Sequence, residues 1–176
     1  IFITLLTCTS ISNTTINYYC LNKWEQNKKR LEEVLRERTD LNECGYAEIV
    51  KLVVKEVLNG GKTENDDYEE YFWDVEHITV VDDGDYQGTL LFLIPNDAYQ
   101  PSEYEYLLTF VNYGSCSGCD TLLAIQEYGE GKLTERQVKD FMLLCKDIVA
   151  NMVKPYNAGW RNEEQFNTVE FREGGA

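Results

Sequence analysis

Two apolar runs limit what this chain can become: TLLFLI at residues 89–94 and EYLLTFVNY at 105–113. The first is continuous and closes on Pro95, as a buried strand does; it is too short for a core helix. A shorter β-branched run, HITVV at 77–81, precedes it. The connections are DDGDYQG at 82–88 and NDAYQPS at 96–102, both rich in turn formers. Strands joined by short polar links pair antiparallel, because a parallel partner needs a long crossover. The spacing therefore predicts a three-stranded antiparallel meander.

Helical periodicity flanks it on both sides. Over residues 23–38, Trp24, Leu31, Val34 and Leu35 recur at helical spacing among Lys and Glu, until Thr39-Asp40-Leu41-Asn42 interrupts. Residues 45–58 are apolar on most sides, which predicts a deep core helix, and they stop at Asn59-Gly60-Gly61. The two form an expected α-hairpin. Thr134-Glu135-Arg136-Gln137 reads as a capping box, and Val138, Phe141, Met142, Cys145, Ile148, Val149 and Met152 mark one face of a helix reaching about residue 153. The fold class is α+β, with the meander packed against the N-terminal α-hairpin and the C-terminal amphipathic helix. One globular domain over 21–155 is expected, preceded by an uncertain segment, 1–20, and followed by a polar tail, 156–176, with room for a short strand at 168–171. The acidic stretch 62–70 reads as a loop.

Charge separates these regions. Of a net charge of -15, most resides in residues 62–105, with 13 acidic residues and only Lys62 basic. A field of that sign opposes direct binding of nucleic acid through this face and suits a metal cation, a basic partner protein or simple solubility. The opening IFITLLTCTSI is too short to span a membrane as a helix, and no basic region precedes it as in a signal peptide. Six cysteines, at 8, 20, 44, 116, 119 and 145, are too scattered for a disulfide framework. The cytoplasm is the expected compartment, and secretion stays open because of the apolar N-terminus and the Asn13-Thr14-Thr15 sequon.

Chemistry has few places to sit. Cys116 and Cys119 lie at CxxC spacing in YGSCSGCDTL, where Asp120 is suited to N-cap a short helix over 121–126. A helix start favours a thiolate, whereas the adjoining Asp120 and the acidic surroundings would raise the thiol pKa. A zinc site needs two further ligands, for which Cys44 and His77 are the candidates; Cys145 belongs to a core stripe. Asp82, Asp83 and Asp85 begin like a calcium loop, but its closing Glu position is Ile94, so only a looser cation turn remains. His77 with either CxxC thiol is the only nucleophile–base pairing available, and no phosphate or dinucleotide fingerprint is present. Tyr86, Tyr99, Tyr104 and Tyr113 form a candidate binding surface around the meander.

Taken together, GDYQGTLLFLIP, YQPSEYEY and YGSCSGCDTL resemble a group of small proteins of tailed bacteriophages and prophages, over about residues 74–126. That resemblance implies a setting, an infected bacterial cytoplasm, and no activity. The expectation is a non-enzymatic protein-binding module without a cofactor, whose loops 82–88, 96–104 and 114–120 engage a host or phage protein. The alternative is a CxxC function, either zinc binding or thiol redox exchange.

Overall fold

The computed structural model describes residues 13–64, 71–126 and 130–155. Helix α1 runs Asn13–Glu37, α2 Tyr46–Val53, α3 Thr121–Gln126 and α4 Glu135–Ala150; strands β1, β2 and β3 are Thr79–Asp82, Gly88–Pro95 and Tyr106–Tyr113. The sheet order is β1-β2-β3, antiparallel throughout, as the short connections require. The α+β meander, the α-hairpin and the C-terminal helix are all present.

Several boundaries move, each for a physical reason. α1 starts ten residues before the expected 23 because its buried stripe continues upstream: Ile16, Cys20 and Trp24 precede Leu31 and Leu35 at helical spacing. Packing outweighs the β-branched character of residues 14–16. The stripe lies against α4, with Asn17 Nδ2 donating to the Ala150 carbonyl (2.7 Å) at one end and Arg36 pairing with Glu135 at the other. The two helices are thus antiparallel. β1 begins at Thr79, not 77, because His77 turns aside to Asp74. α4 ends at Ala150, and Val153 instead exchanges backbone hydrogen bonds with Leu108 (2.8 and 2.9 Å) at the open edge of β3. The strand expected at 168–171 and the segment 1–12 lie outside the described residues.

The apolar second helix is not α-helical to its end. Val54–Leu58 form a single π-helical turn, in which one extra residue is accommodated per turn. It buries Glu56, whose carboxylate accepts from Arg30 Nε of α1 at 2.7 Å. It also presents the Val57 carbonyl to Asn27 Nδ2 (2.8 Å). Immediately after it, buried Asn59 holds both backbone groups of Trp73, accepting from its N–H at 2.9 Å and donating to its carbonyl at 2.8 Å. Gly60 and Gly61 then adopt φ of 62° and 77°, the left-handed exit that only glycine enters without strain.

The two sheet faces differ. Phe92 opposite Thr109, Leu90 opposite Val111 and Ile94 opposite Leu107 point inward, onto a core shared with Ile49, Val53, Phe141 and Ile148. Buried Thr109 donates its hydroxyl to the Ile148 carbonyl (2.9 Å), seating α4 on the sheet. The alternate positions face outward: Val81 opposite Leu91, Leu91 opposite Phe110, and Leu93 opposite Leu108. None of these five belongs to the core cluster or packs against it. The continuous run at 89–94 is therefore buried on one face only, since the described helices cover a single side of the sheet.

Candidate functional site

After β3 the chain enters the CxxC turn. The Cys116 carbonyl accepts from the N–H of Cys119 (3.0 Å) and of Asp120 (2.9 Å), closing a tight turn that leads directly into α3. Both thiols are exposed, with their sulfurs 3.0 Å apart. Gly114 makes this closeness possible: a Cβ there would stand 2.5 Å from Cys119 Sγ and 2.6 Å from the Cys119 carbonyl oxygen.

Asp120 caps α3 as its position suggests, accepting from Leu123 N–H at 2.9 Å. It does more. It is buried, and the same Oδ1 accepts from the Tyr46 hydroxyl (3.0 Å) while Oδ2 accepts from Gly114 N–H (3.0 Å). The Tyr46 oxygen in turn accepts from Leu122 N–H at 3.1 Å. One carboxylate thus ties both ends of the CxxC turn to α2. Burial, aided by the charge and hydrogen bond of Asp120 and opposed by the Leu122 N–H, raises the Tyr46 phenol to about 12.

Cys119 does not carry the raised pKa expected beside Asp120. Cys119 lies below the ordinary cysteine range, first through its hydrogen bond with the Cys116 thiol, then through hydrogen bonds with the Cys116 and Ser115 backbone and the Ser115 hydroxyl. The carboxylate next in sequence is turned inward onto its own donors, so adjacency in sequence does not become repulsion in space. The remaining described cysteines behave oppositely: burial pushes Cys44 to about 11 and Cys20 and Cys145 to about 12.

The other candidate ligands do not converge on this turn. Cys44 donates to the Leu41 carbonyl (3.2 Å) and lines a shallow cavity of about 290 Å³ with Tyr46, Asp82, Tyr113 and Asp120. His77 lies before β1, hydrogen-bonded to Asp74 at 2.6 Å, beside a second cavity of about 300 Å³ lined by Trp73 and Asn59. The length of β1, about 10 Å, separates it from the Asp82 end of the sheet where the CxxC turn begins. The pairing of His77 with a CxxC thiol is not formed. Among the described residues, no three His, Cys, Asp or Glu side chains assemble as a metal-holding group. In the acidic turn, Asp82 accepts from Gly84 N–H (3.1 Å) and the Tyr113 hydroxyl (2.8 Å), and Asp83 accepts from Thr89 N–H (2.6 Å). Asp82 and Asp83 therefore serve the turn itself, while Asp85 is exposed beside them.

The tyrosine surface also divides. A meander sends alternate loops to opposite ends of its sheet, so loops 82–88 and 114–120 share one end and loop 96–104 occupies the other. Tyr86 (83% exposed) stands at the first end, and Tyr99 (98%) and Tyr104 (56%) at the second. Tyr113 is half-buried against the core and bonded to Asp82, which helps raise its phenol to about 12. The three loops do not make one surface. What lies between their two ends is the outward sheet face of Val81, Leu91, Leu93, Leu108 and Phe110, with Val81 51% and Phe110 39% exposed. Sequence reasoning missed this face, although apolar residues at both parities of 89–94, with helices enough for one side only, carried its signal.

No helix among the described residues is long and apolar enough to cross a membrane. Comparison with family models, with curated proteins and with solved structures found no match to this chain.

Proposed function

We propose that this chain is a non-enzymatic protein-binding module whose outward sheet face receives a basic, apolar segment of another protein. The observation that carries the reading is the contiguous row of exposed Val81 and Phe110 with half-buried Leu91, Leu93 and Leu108 on a face outside the core cluster. Apolar patches of this kind mark interaction sites more often than scattered exposed residues do. The partner's charge follows from the frame. Asp82, Asp83 and Asp85 stand at one end of the face, and Asp97 and Glu105 at the other. A second copy would oppose acidic ends to acidic ends, whereas a segment carrying Lys or Arg beside its apolar residues would match them. The resemblance of GDYQGTLLFLIP, YQPSEYEY and YGSCSGCDTL to phage and prophage proteins makes that partner a host or phage protein in an infected bacterial cytoplasm.

A labelled peptide of alternating Val and Lys, titrated against the full chain by fluorescence anisotropy, is the direct test, with a Val/Glu peptide as its counterpart. The lysine peptide is expected to bind with an affinity that falls as salt rises. Leu93→Glu together with Phe110→Glu is expected to abolish binding while leaving the urea midpoint nearly unchanged, since neither side chain is in the core. Equal binding of the two peptides, or an unaffected double variant, refutes the reading.

A further inference from the structure

The CxxC turn is independent of that face, and it has a geometry of its own. We infer that Cys116 and Cys119 form a dithiol–disulfide exchange site, with a small-molecule or protein disulfide as its oxidant. Three observations carry this. The sulfurs stand 3.0 Å apart on a closed turn, so bond formation asks only a small further approach. Both sulfurs are exposed, while Cys20 and Cys145 are buried and Cys44 is half-buried, so an external disulfide has access to this pair in preference to them. The turn is also held from both sides: Asp120 grips Gly114 N–H and Leu123 N–H, and the missing side chain of Gly114 leaves room for the Cys119 sulfur and carbonyl where a Cβ would collide with them. A turn fixed in this way keeps the two thiols together without ordering them at the moment of reaction.

The chemistry balances as follows. One thiolate of the pair attacks one sulfur of the disulfide RSSR; a mixed disulfide between that cysteine and SR forms, the S–S bond breaks, and RS⁻ leaves to take a proton from water. The other thiolate then attacks the protein sulfur of that mixed disulfide and displaces the second RS⁻, which is protonated in turn. Two electrons pass from the protein dithiol to RSSR, giving one Cys116–Cys119 disulfide and two RSH. Reversal reduces the protein at the expense of two thiols.

The test uses the full chain equilibrated in a series of reduced and oxidised glutathione buffers, acid-quenched, alkylated and mapped by mass spectrometry. A single two-electron transition joining Cys116 to Cys119 is expected, in wild-type protein and without any substitution. In Cys116→Ser and in Cys119→Ser alike, glutathione is expected to accumulate on the remaining thiol of the pair, because no second thiol is left to resolve the mixed disulfide. Separate alkylation of both cysteines across the whole series overturns the site. Absence of a glutathione adduct on the remaining thiol in both single variants also overturns it.

Discussion

Asp120 shows how much of a turn can depend on one carboxylate. It is nearly inaccessible and accepts from two backbone N–H groups and one phenol. Removing it leaves Gly114 N–H and the Tyr46 hydroxyl without their acceptor, and hydrogen bonds to a charged group contribute about 1.5–3 kcal/mol each. Asp120→Ala is therefore expected to lower stability by about 3 kcal/mol in urea unfolding. Tyr46→Phe, which loses a single hydroxyl, is expected to cost about 1 kcal/mol. A double-mutant cycle between them should give a coupling energy well above zero; strict additivity would show that the two side chains act separately. The capping role of Asp120 was legible in the sequence from its place before 121–126. Its inward bond to Tyr46 was not, because 74 residues separate the pair and only the packing of α3 beside α2 brings them together.

The same contrast holds for whole elements. The capping box of α4 could be read from four letters: Gln137 N–H donates to the Thr134 hydroxyl at 3.3 Å and Thr134 N–H to Gln137 Oε1 at 3.0 Å. Less visible is that Gln137 Nε2 also donates to Asn42 Oδ1 (2.8 Å) and to the Ile125 carbonyl (3.1 Å). Gln126 adds donations to the Leu41 and Cys44 carbonyls (2.7 and 2.8 Å). Two amides thus clamp the α1–α2 connection against α3 and α4. Thr134→Ala should cost about 1 kcal/mol, the usual value of a cap. Gln137→Ala should cost about twice that, because it also leaves the buried Ile125 carbonyl unpaired. Equal losses in thermal or urea unfolding would reduce Gln137 to a cap alone. Helix and strand types followed from periodicity, since 3.6-residue and two-residue spacings are local. Which sheet face is covered depends on how many helices are available to cover it, and no window of sequence contains that number.

At the scale of the molecule, the buried thiols set a limit in alkali. Cys20 and Cys145 rise from an ordinary 9.0 to about 12, Cys44 to about 11, and Tyr46 from 10.0 to about 12, burial being the first cause in each. Each group holds its proton more tightly when folded. Its stabilising contribution is complete below the unfolded value and is lost as pH rises toward the folded one. The urea midpoint is expected to begin falling near pH 9 and to continue falling to about pH 12. General charge repulsion in a chain of net charge -15 acts in the same direction. Cys145→Ala separates the two: if the thiols matter, the slope of stability against pH becomes shallower by one proton, and an unchanged slope assigns the loss to net charge alone.

The π-helical turn at Val54–Leu58 works as a phase adjuster between the helical hairpin and the sheet. Each residue of a helix advances its side chain by about 100°, so the chain length up to this point sets the bearing of everything beyond it. Were the same residues wound as an ordinary α-helix, Asn59 would swing about 100° away from Trp73. The approach to the sheet would then lose its mooring, although no sheet residue had changed. A chain built this way absorbs the loss of one residue at this turn, which closes it to an ordinary helix, better than the gain of one.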